Sequence, residues 1–303
     1  MKSRILSTLI EHVERDGDKV AFIGRNATSG ASYTLTYSQL LEQVQETARH
    51  FQQHAARCIA IYAENCLTWL VADLAAMYAE IPCIPIPKFF SDSQIDHILS
   101  QTQADLLIYD TCLDGFEPVG ELGELSIGRR EAQITAQTPA ILPGTVKITF
   151  TSGSTGQPKG VCLSQSNLDK VTDSLAQMMR TQPGLDQHLV MLPLSTLLEN
   201  ITGAYVPLYL GVTSVVLDGA SVGLMGSSQF DAVLWMKILL EYRPNTLVLT
   251  PALLHALIAL TQQNPDVAAS LGFVAVGGCP CLWGNFTDSP SARYSCLRRL
   301  WDF

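Results

Sequence analysis

The order of segments along the chain predicts an α/β protein in which parallel sheets are covered by helices on both faces. Two observations point there. Apolar residues recur at helical spacing in one set of stretches, and short β-branched or apolar runs fall between them, so that the two patterns alternate. At 303 residues, 47% hydrophobic and 16% charged, the chain also has the apolar content to bury a core under such sheets, which excludes a disordered protein.

Taken in order, the opening MKSRILSTLIEHVERD has Lys2 and Arg4 ahead of an apolar run that is short and passes straight into charge. It reads as neither signal peptide nor membrane span. A helix is predicted over 36–54, with Thr36 as its cap, then over 67–79, 91–101, 164–180, 229–241 and 251–262. Strands are predicted at 57–62, 82–86, 105–109, 146–150, 189–192, 213–217, 246–249 and 273–276. Residues 111–145, rich in Gly, Pro, Glu and Thr and poor in periodicity, read as a linker. The most apolar late stretch, TLVLTPALLHALIALT, is broken by Pro251, His255 and threonines, so no transmembrane segment is expected.

Charge and cysteine usage narrow the class. A net charge of −9 argues against a nucleic-acid partner, because no basic patch is available to neutralise phosphates. The eight cysteines, at 58, 66, 83, 112, 162, 279, 281 and 296, form no CxxC pair and no zinc-like spacing with histidine, and read as reduced thiols of a cytoplasmic protein. His50 and His54 share a helix face, but with no third ligand in view they read as a solvated face, and no metal site is expected.

Residues 148–163, ITFTSGSTGQPKGVCL, carry the chemistry. Gly153, Gly156 and Gly160 let backbone N–H groups approach an anion, Thr151, Ser152, Ser154 and Thr155 add hydroxyls, and Lys159 adds a positive charge. Such a loop can wrap polyphosphate. It is not a Walker loop, since Pro158 and Gly160 stand where that pattern needs Gly and Ser or Thr. Its place directly after a predicted strand is where ligands sit in open α/β sheets.

The string resembles the signature (Y/F)-T-S-G-(S/T)-T-G-x-P-K-G-V of the adenylate-forming superfamily, and Phe150 to Val161 match it at every fixed position. LTYSQLLEQV at 35–44 is similar to the family's early L-(T/S)-Y-x-E-L element, with Gln39 in place of Glu. The stretch 74–110 is similar to its small-residue helix and V-P-L-like strand. LPLSTLLENITGAYVPLYLGV at 192–212 resembles the L-P-L-S-H-x-x-E-R segment of fatty acyl-CoA synthetases, which borders the acyl pocket. Pro193, Ser195 and Glu199 fit, while Thr196 replaces His and Asn200 replaces Arg. A plain apolar helix after a strand explains all of this segment except Glu199. GFVAVGG at 272–278 is similar to the strand that ends near adenine and acyl group, although an ordinary turn explains Gly277 and Gly278 as well.

The resemblance implies the large N-terminal domain of an AMP-forming acyl-CoA synthetase over residues 1–278, incomplete at its C-terminal end. It also implies carboxylic acid, ATP with Mg²⁺, and CoA as the small-molecule substrates and cofactors. The implied phosphate-binding residues are Thr151, Ser152, Gly153, Ser154, Thr155, Gly156 and Lys159. Ser195, Thr196, Glu199, Gly277 and Gly278 are implied around acyl group and adenine. No catalytic residue is assigned. After Gly278 the resemblance stops, and CPCLWGNFTDSPSARYSCLRRLWDF at 279–303 lacks the family's Y-G-x-(S/T)-E motif, ribose Asp and distal catalytic Lys. Displacing the reading frame by one base from Cys279 permits ARVSGETSQTRQALGTPVYEGYGISE, which ends on that motif. The expectation is therefore a frameshifted, truncated and inactive ligase without its C-terminal lid domain. A natural short form, a non-catalytic nucleotide- or acyl-binding remnant, and an amino-acid adenylation domain are the alternatives.

Overall fold

The computed structural model describes residues 3–26, 29–130, 141–151, 157–182, 184–225 and 229–277, and the backbone of 294–296. Among these residues two seven-stranded sheets run side by side, each with a parallel interior. In the first, the spatial order is Glu117–Leu122, Leu125–Arg129, Leu106–Tyr109, Ile59–Tyr62, Cys83–Pro85, Thr145–Thr151 and Lys159–Ser164. The middle four strands are parallel, while both edges are antiparallel. In the second, the order is Tyr294–Cys296, Phe273–Val276, Thr246–Leu249, Gln187–Leu189, Thr213–Val216, Val20–Arg25 and Ser32–Thr36, all parallel except the last pair.

All eight predicted strands and all six predicted helices are present, with boundaries within a few residues. The antiparallel edges were not expected. Residues 111–145 are no linker throughout, because Glu117–Leu122 and Leu125–Arg129 form a hairpin that joins the first sheet beside Leu106–Tyr109. Its outer strand is exposed along nearly its whole length and so offers no alternating pattern to read. A register shift between Pro118 and Gly120 accommodates the proline, which has no N–H to give a ladder. The inner strand buries Leu125 and Ile127, which fixes the hairpin to the sheet.

The helix Leu67–Tyr78 is the middle layer. It touches Val20–Arg25 of the second sheet and Ile59–Tyr62 and Cys83–Pro85 of the first. Ten of its side chains, from Leu67 to Met77, are therefore buried on all faces, and its sequence LTWLVADLAAMY has no polar stripe. The helix Tyr37–Gln53 packs against it and begins with a capping box, in which the Gln39 amide donates to Thr36 Oγ1 and Gln39 Oε1 accepts from the Thr36 amide. The helix Arg4–Asp16, absent from the predicted set, buries Ile5, Thr8, Leu9 and His12, an i, i+3, i+4, i+7 stripe that the sequence does display. No helix of the described residues is long and apolar enough to cross a membrane.

Apolar side chains of the second sheet and its outer helices gather around Trp235, which is fully buried, stacks edge-on against Phe230 at 5.2 Å and donates its indole N–H to Met191 Sδ. Trp235→Ala should lower the free energy of unfolding by about 3–5 kcal/mol, because the deleted ring leaves a cavity that the sheet cannot collapse to fill. Denaturant titration followed by circular dichroism measures it. A loss below about 1 kcal/mol would contradict this packing.

Candidate nucleotide and acid site

Strand Thr145–Thr151 turns back through the glycine loop into Lys159–Ser164, so the loop closes an antiparallel hairpin at the carboxyl end of a parallel sheet. Thr151 and Lys159 are register partners at its mouth, both exposed. Facing pairs in such a ladder project to one side, so the hydroxyl and the ammonium flank the loop together. One step further in, Gly160 lies against Phe150, where a Cβ would stand 2.9 Å from the ring and 3.1 Å from Ile148. That close approach is the physical need for glycine at this position. Ser152, Gly153, Ser154, Thr155 and Gly156 lie outside the described residues.

The second group of expected residues is built on the turn after Gln187–Leu189. Asn65, which the sequence reading missed, holds this turn from the first sheet's side by accepting from the Leu194 amide at 2.8 Å and donating to the Leu192 carbonyl at 3.0 Å. Ser195 is buried. Thr196 Oγ1 donates to the Pro193 carbonyl and precedes the short helix Leu197–Glu199. Gly277, at the end of Phe273–Val276, sits directly against this helix, and a Cβ there would meet Leu198 at 2.8 Å. Ser195, Thr196, Glu199 and Gly277 are thus gathered at one place, while Gly278 lies outside the described residues.

Glu199 is wholly buried. Its Oε1 accepts from the Met191 amide at 3.2 Å and stands 3.7 Å from His188 Nε2, while His188 Nδ1 pairs with Thr246 Oγ1 at 2.7 Å. Burial pushes the Glu199 carboxyl above its ordinary range, against the opposing pull of His188 and the Met191 and Leu192 amides.

Between the two groups lies a polar cluster that the sequence reading did not assemble. Lys147, two residues into the strand that feeds the glycine loop, is 2% exposed and donates to Asp73 Oδ1 at 2.6 Å, to Tyr205 Oη at 2.7 Å and to Asn200 Oδ1. Asn200 Nδ2 and Tyr205 Oη both donate to the other Asp73 oxygen, at 3.1 and 2.5 Å. Burial, and then the Asp73 charge, hold the Tyr205 phenol protonated. Asn200 and Tyr205 open and close a π-helical turn, Asn200–Tyr205. The wider π turn, with i→i+5 hydrogen bonds, brings these two positions nearer to one face, whereas an α-helix would splay them further apart.

Two experiments follow. Lys147→Met should cost about 3–5 kcal/mol, because it leaves Asp73 charged and buried without its cation, and Asp73→Leu combined with Lys147→Met should recover most of the loss. Equal losses in single and double variants, by denaturant titration, would sink this account. For Glu199, a carboxyl whose folded pKa is raised adds stability that is complete below its unfolded pKa of about 4.3 and is lost as pH rises through the folded value. Glu199→Gln should therefore gain on the parent as pH rises from about 4 to 7, and a pH-independent difference would show that Glu199 does not titrate in this way.

A family model described as AMP-binding enzyme matches residues 9–282. The chain is 26% identical over 267 residues to the nonribosomal peptide synthetase gliP of Aspergillus fumigatus, an alignment that takes in 86% of this chain and 12% of gliP. It therefore spans about an eighth of that protein's length. In three dimensions it is similar to the fatty acid AMP ligase from Legionella pneumophila, with a TM-score of 0.71 at 17% identity over 93% of this chain and 50% of the other. It is likewise similar to the O-succinylbenzoate coenzyme A synthetase from Bacillus subtilis solved in complex with AMP, with a TM-score of 0.65 at 17% identity over 91% and 68% of the two chains. With Thr151 and Lys159 of the signature paired across an edge hairpin of the first sheet and a family match along nearly its whole length, the chain belongs to the AMP-binding enzymes, the adenylate-forming ligases.

Proposed function

We propose that these residues form the nucleotide-phosphate and acid-binding part of an AMP-forming ligase, with a fatty acid as the acid and CoA as the thiol acceptor. In that reaction a carboxylate oxygen attacks the α-phosphorus of ATP, the bond to the β-phosphate oxygen breaks, and pyrophosphate leaves. The thiol sulfur then attacks the acyl carbonyl, releasing AMP. The observation that carries the reading is the signature hairpin, with Thr151 and Lys159 paired across its mouth. In this reading Thr151, Ser152, Gly153, Ser154, Thr155, Gly156 and Lys159 hold the β- and γ-phosphates by N–H, hydroxyl and ammonium donors, and stabilise charge on the departing pyrophosphate.

Ser195, Thr196, Glu199, Gly277 and Gly278 line acid and adenine. The likeness of 192–212 to the fatty acyl segment supports the choice of acid. The similarity to gliP favours a second reading, an amino acid, and acid-dependent pyrophosphate exchange separates the two. No residue is assigned to magnesium. Among the described residues no group of three His, Cys, Asp or Glu stands together to hold the ion that accompanies ATP.

We assign 1–278 to the family's N-terminal part and 279–303 to a displaced reading frame. The 303 residues contain no Y-G-x-(S/T)-E string, so binding is assigned to them and thioester formation is not. The described cysteines are free thiols, which supports a cytoplasmic setting. Calorimetric titration of the chain with ATP and Mg²⁺ should show binding, and Lys159→Ala should weaken it about tenfold or more without a change in unfolding temperature, since Lys159 is exposed. Equal affinity in both proteins would remove the phosphate role from the hairpin.

A further inference from the structure

We propose that His50 and His54 form a two-imidazole site for a divalent transition metal ion, zinc or nickel, at the C-terminal end of the helix Tyr37–Gln53. His50 lies in the last turn and His54 closes the helix, so the spacing of four stacks both rings on one face. Their Nε2 atoms stand 3.2 Å apart, with ring centroids 4.7 Å apart. Two nitrogens each about 2.0–2.1 Å from a tetrahedral zinc ion are about 3.3–3.4 Å from one another, so the pair already has the bite of a chelate. In the free protein one ring donates to the other across this gap. Metal binding gives up that single hydrogen bond and needs the lone pair of both Nε2 atoms, with each remaining proton on Nδ1.

Both imidazoles are only half-buried, which leaves the pair open to solvent. His50 lines a cleft of about 610 Å³ together with Gln43, Glu46 and Arg49 of its own helix and Glu121 of the hairpin. The helix end holds His54 in place through two backbone bonds, His54 N–H to the His50 carbonyl and Ala56 N–H to the Phe51 carbonyl, around Ala55 at φ +47°. The carbonyl end of the helix dipole favours a cation there and Arg129 opposes it, while Glu46, Arg49 and Glu121 share the cleft with His50. Burial, then His50, then Arg129 lower the pKa of His54, which keeps its ring neutral and ready to ligate at physiological pH. Among the described residues no third His, Cys, Asp or Glu completes a cluster, so water fills the remaining positions and the ion exchanges freely. This differs from the solvated face that the sequence suggests, because the ring separation is that of paired ligands.

Zinc chloride, and separately nickel chloride, titrated into the full 303-residue chain at about pH 7.5 should bind at one ion per chain and raise the unfolding temperature. Affinity should fall at least tenfold in H54Q and in H50Q/H54Q, variants that keep polar side chains on the helix surface, and should also fall as the pH is lowered, because protons compete with the metal for ring nitrogens. No binding heat and no thermal shift in the parent chain overturn the proposal. So does an affinity unchanged in H50Q/H54Q, which would place the ion on thiols or carboxylates elsewhere, and so does a ratio of one ion to two chains. The ATP reading is untouched by any of these results, since no nucleotide is present.

Discussion

The contact on which the two halves of this molecule depend is the buried ion pair between Lys147 and Asp73. Lys147 stands on a strand of the first sheet and Asp73 on the helix between the sheets, and the Asn200–Tyr205 turn on the second sheet's side supplies the remaining partners. A buried pair of this kind contributes little net stability over an apolar pair of the same shape, but it tolerates few alternative geometries. Sliding the strand by one residue would point the ammonium into the opposite face and leave two charges unpaired. The register of the strand that delivers the glycine loop is thereby tied to the position of the segment that delivers Glu199.

The same logic accounts for the π-helical turn. An α-helical Asn200–Tyr205 segment would place one partner on the cluster and turn the other away, leaving either the ammonium or the carboxylate short of a bond in a dry interior. The wider turn costs helix geometry and gains hydrogen-bond partners for both charges of the cluster. In the resemblance to acyl-CoA synthetases, Asn200 replaces an arginine, and here the positive charge at this place comes from Lys147 on a different element.

Much of this was legible in the sequence. The parallel interiors were, because strands buried on both faces read as continuous apolar runs between helices of ordinary length. The edges were not. Glu117–Leu122 is exposed along its length and Lys159–Ser164 begins inside the signature loop, so neither shows period-2 burial. The glycine loop was readable from its letters, and the structure accounts for Gly160 by the Phe150 ring against it. Glu199 stood out as one acid in an apolar segment, and its burial agrees. Lys147 in VKITF and Asp73 in LVADLAAM carried the same signal, a lone charge in an apolar run, but pairing them across 74 positions required the fold. His188 and Asn65 left no comparable trace.

The strand Val20–Arg25 carries a consequence for how the protein is made. Its parallel neighbour is Thr213–Val216, and the Lys19 ammonium beside it donates to the Gly211 carbonyl, 192 positions away. At a synthesis rate of about 5–20 residues per second, the amino-terminal hairpin waits roughly 10–40 s on the ribosome before its sheet partner emerges. During that interval Phe22 and Ile23 have no second sheet to enter. A nascent chain of this topology therefore has a long exposure window, and its early segment is a natural client for holding chaperones.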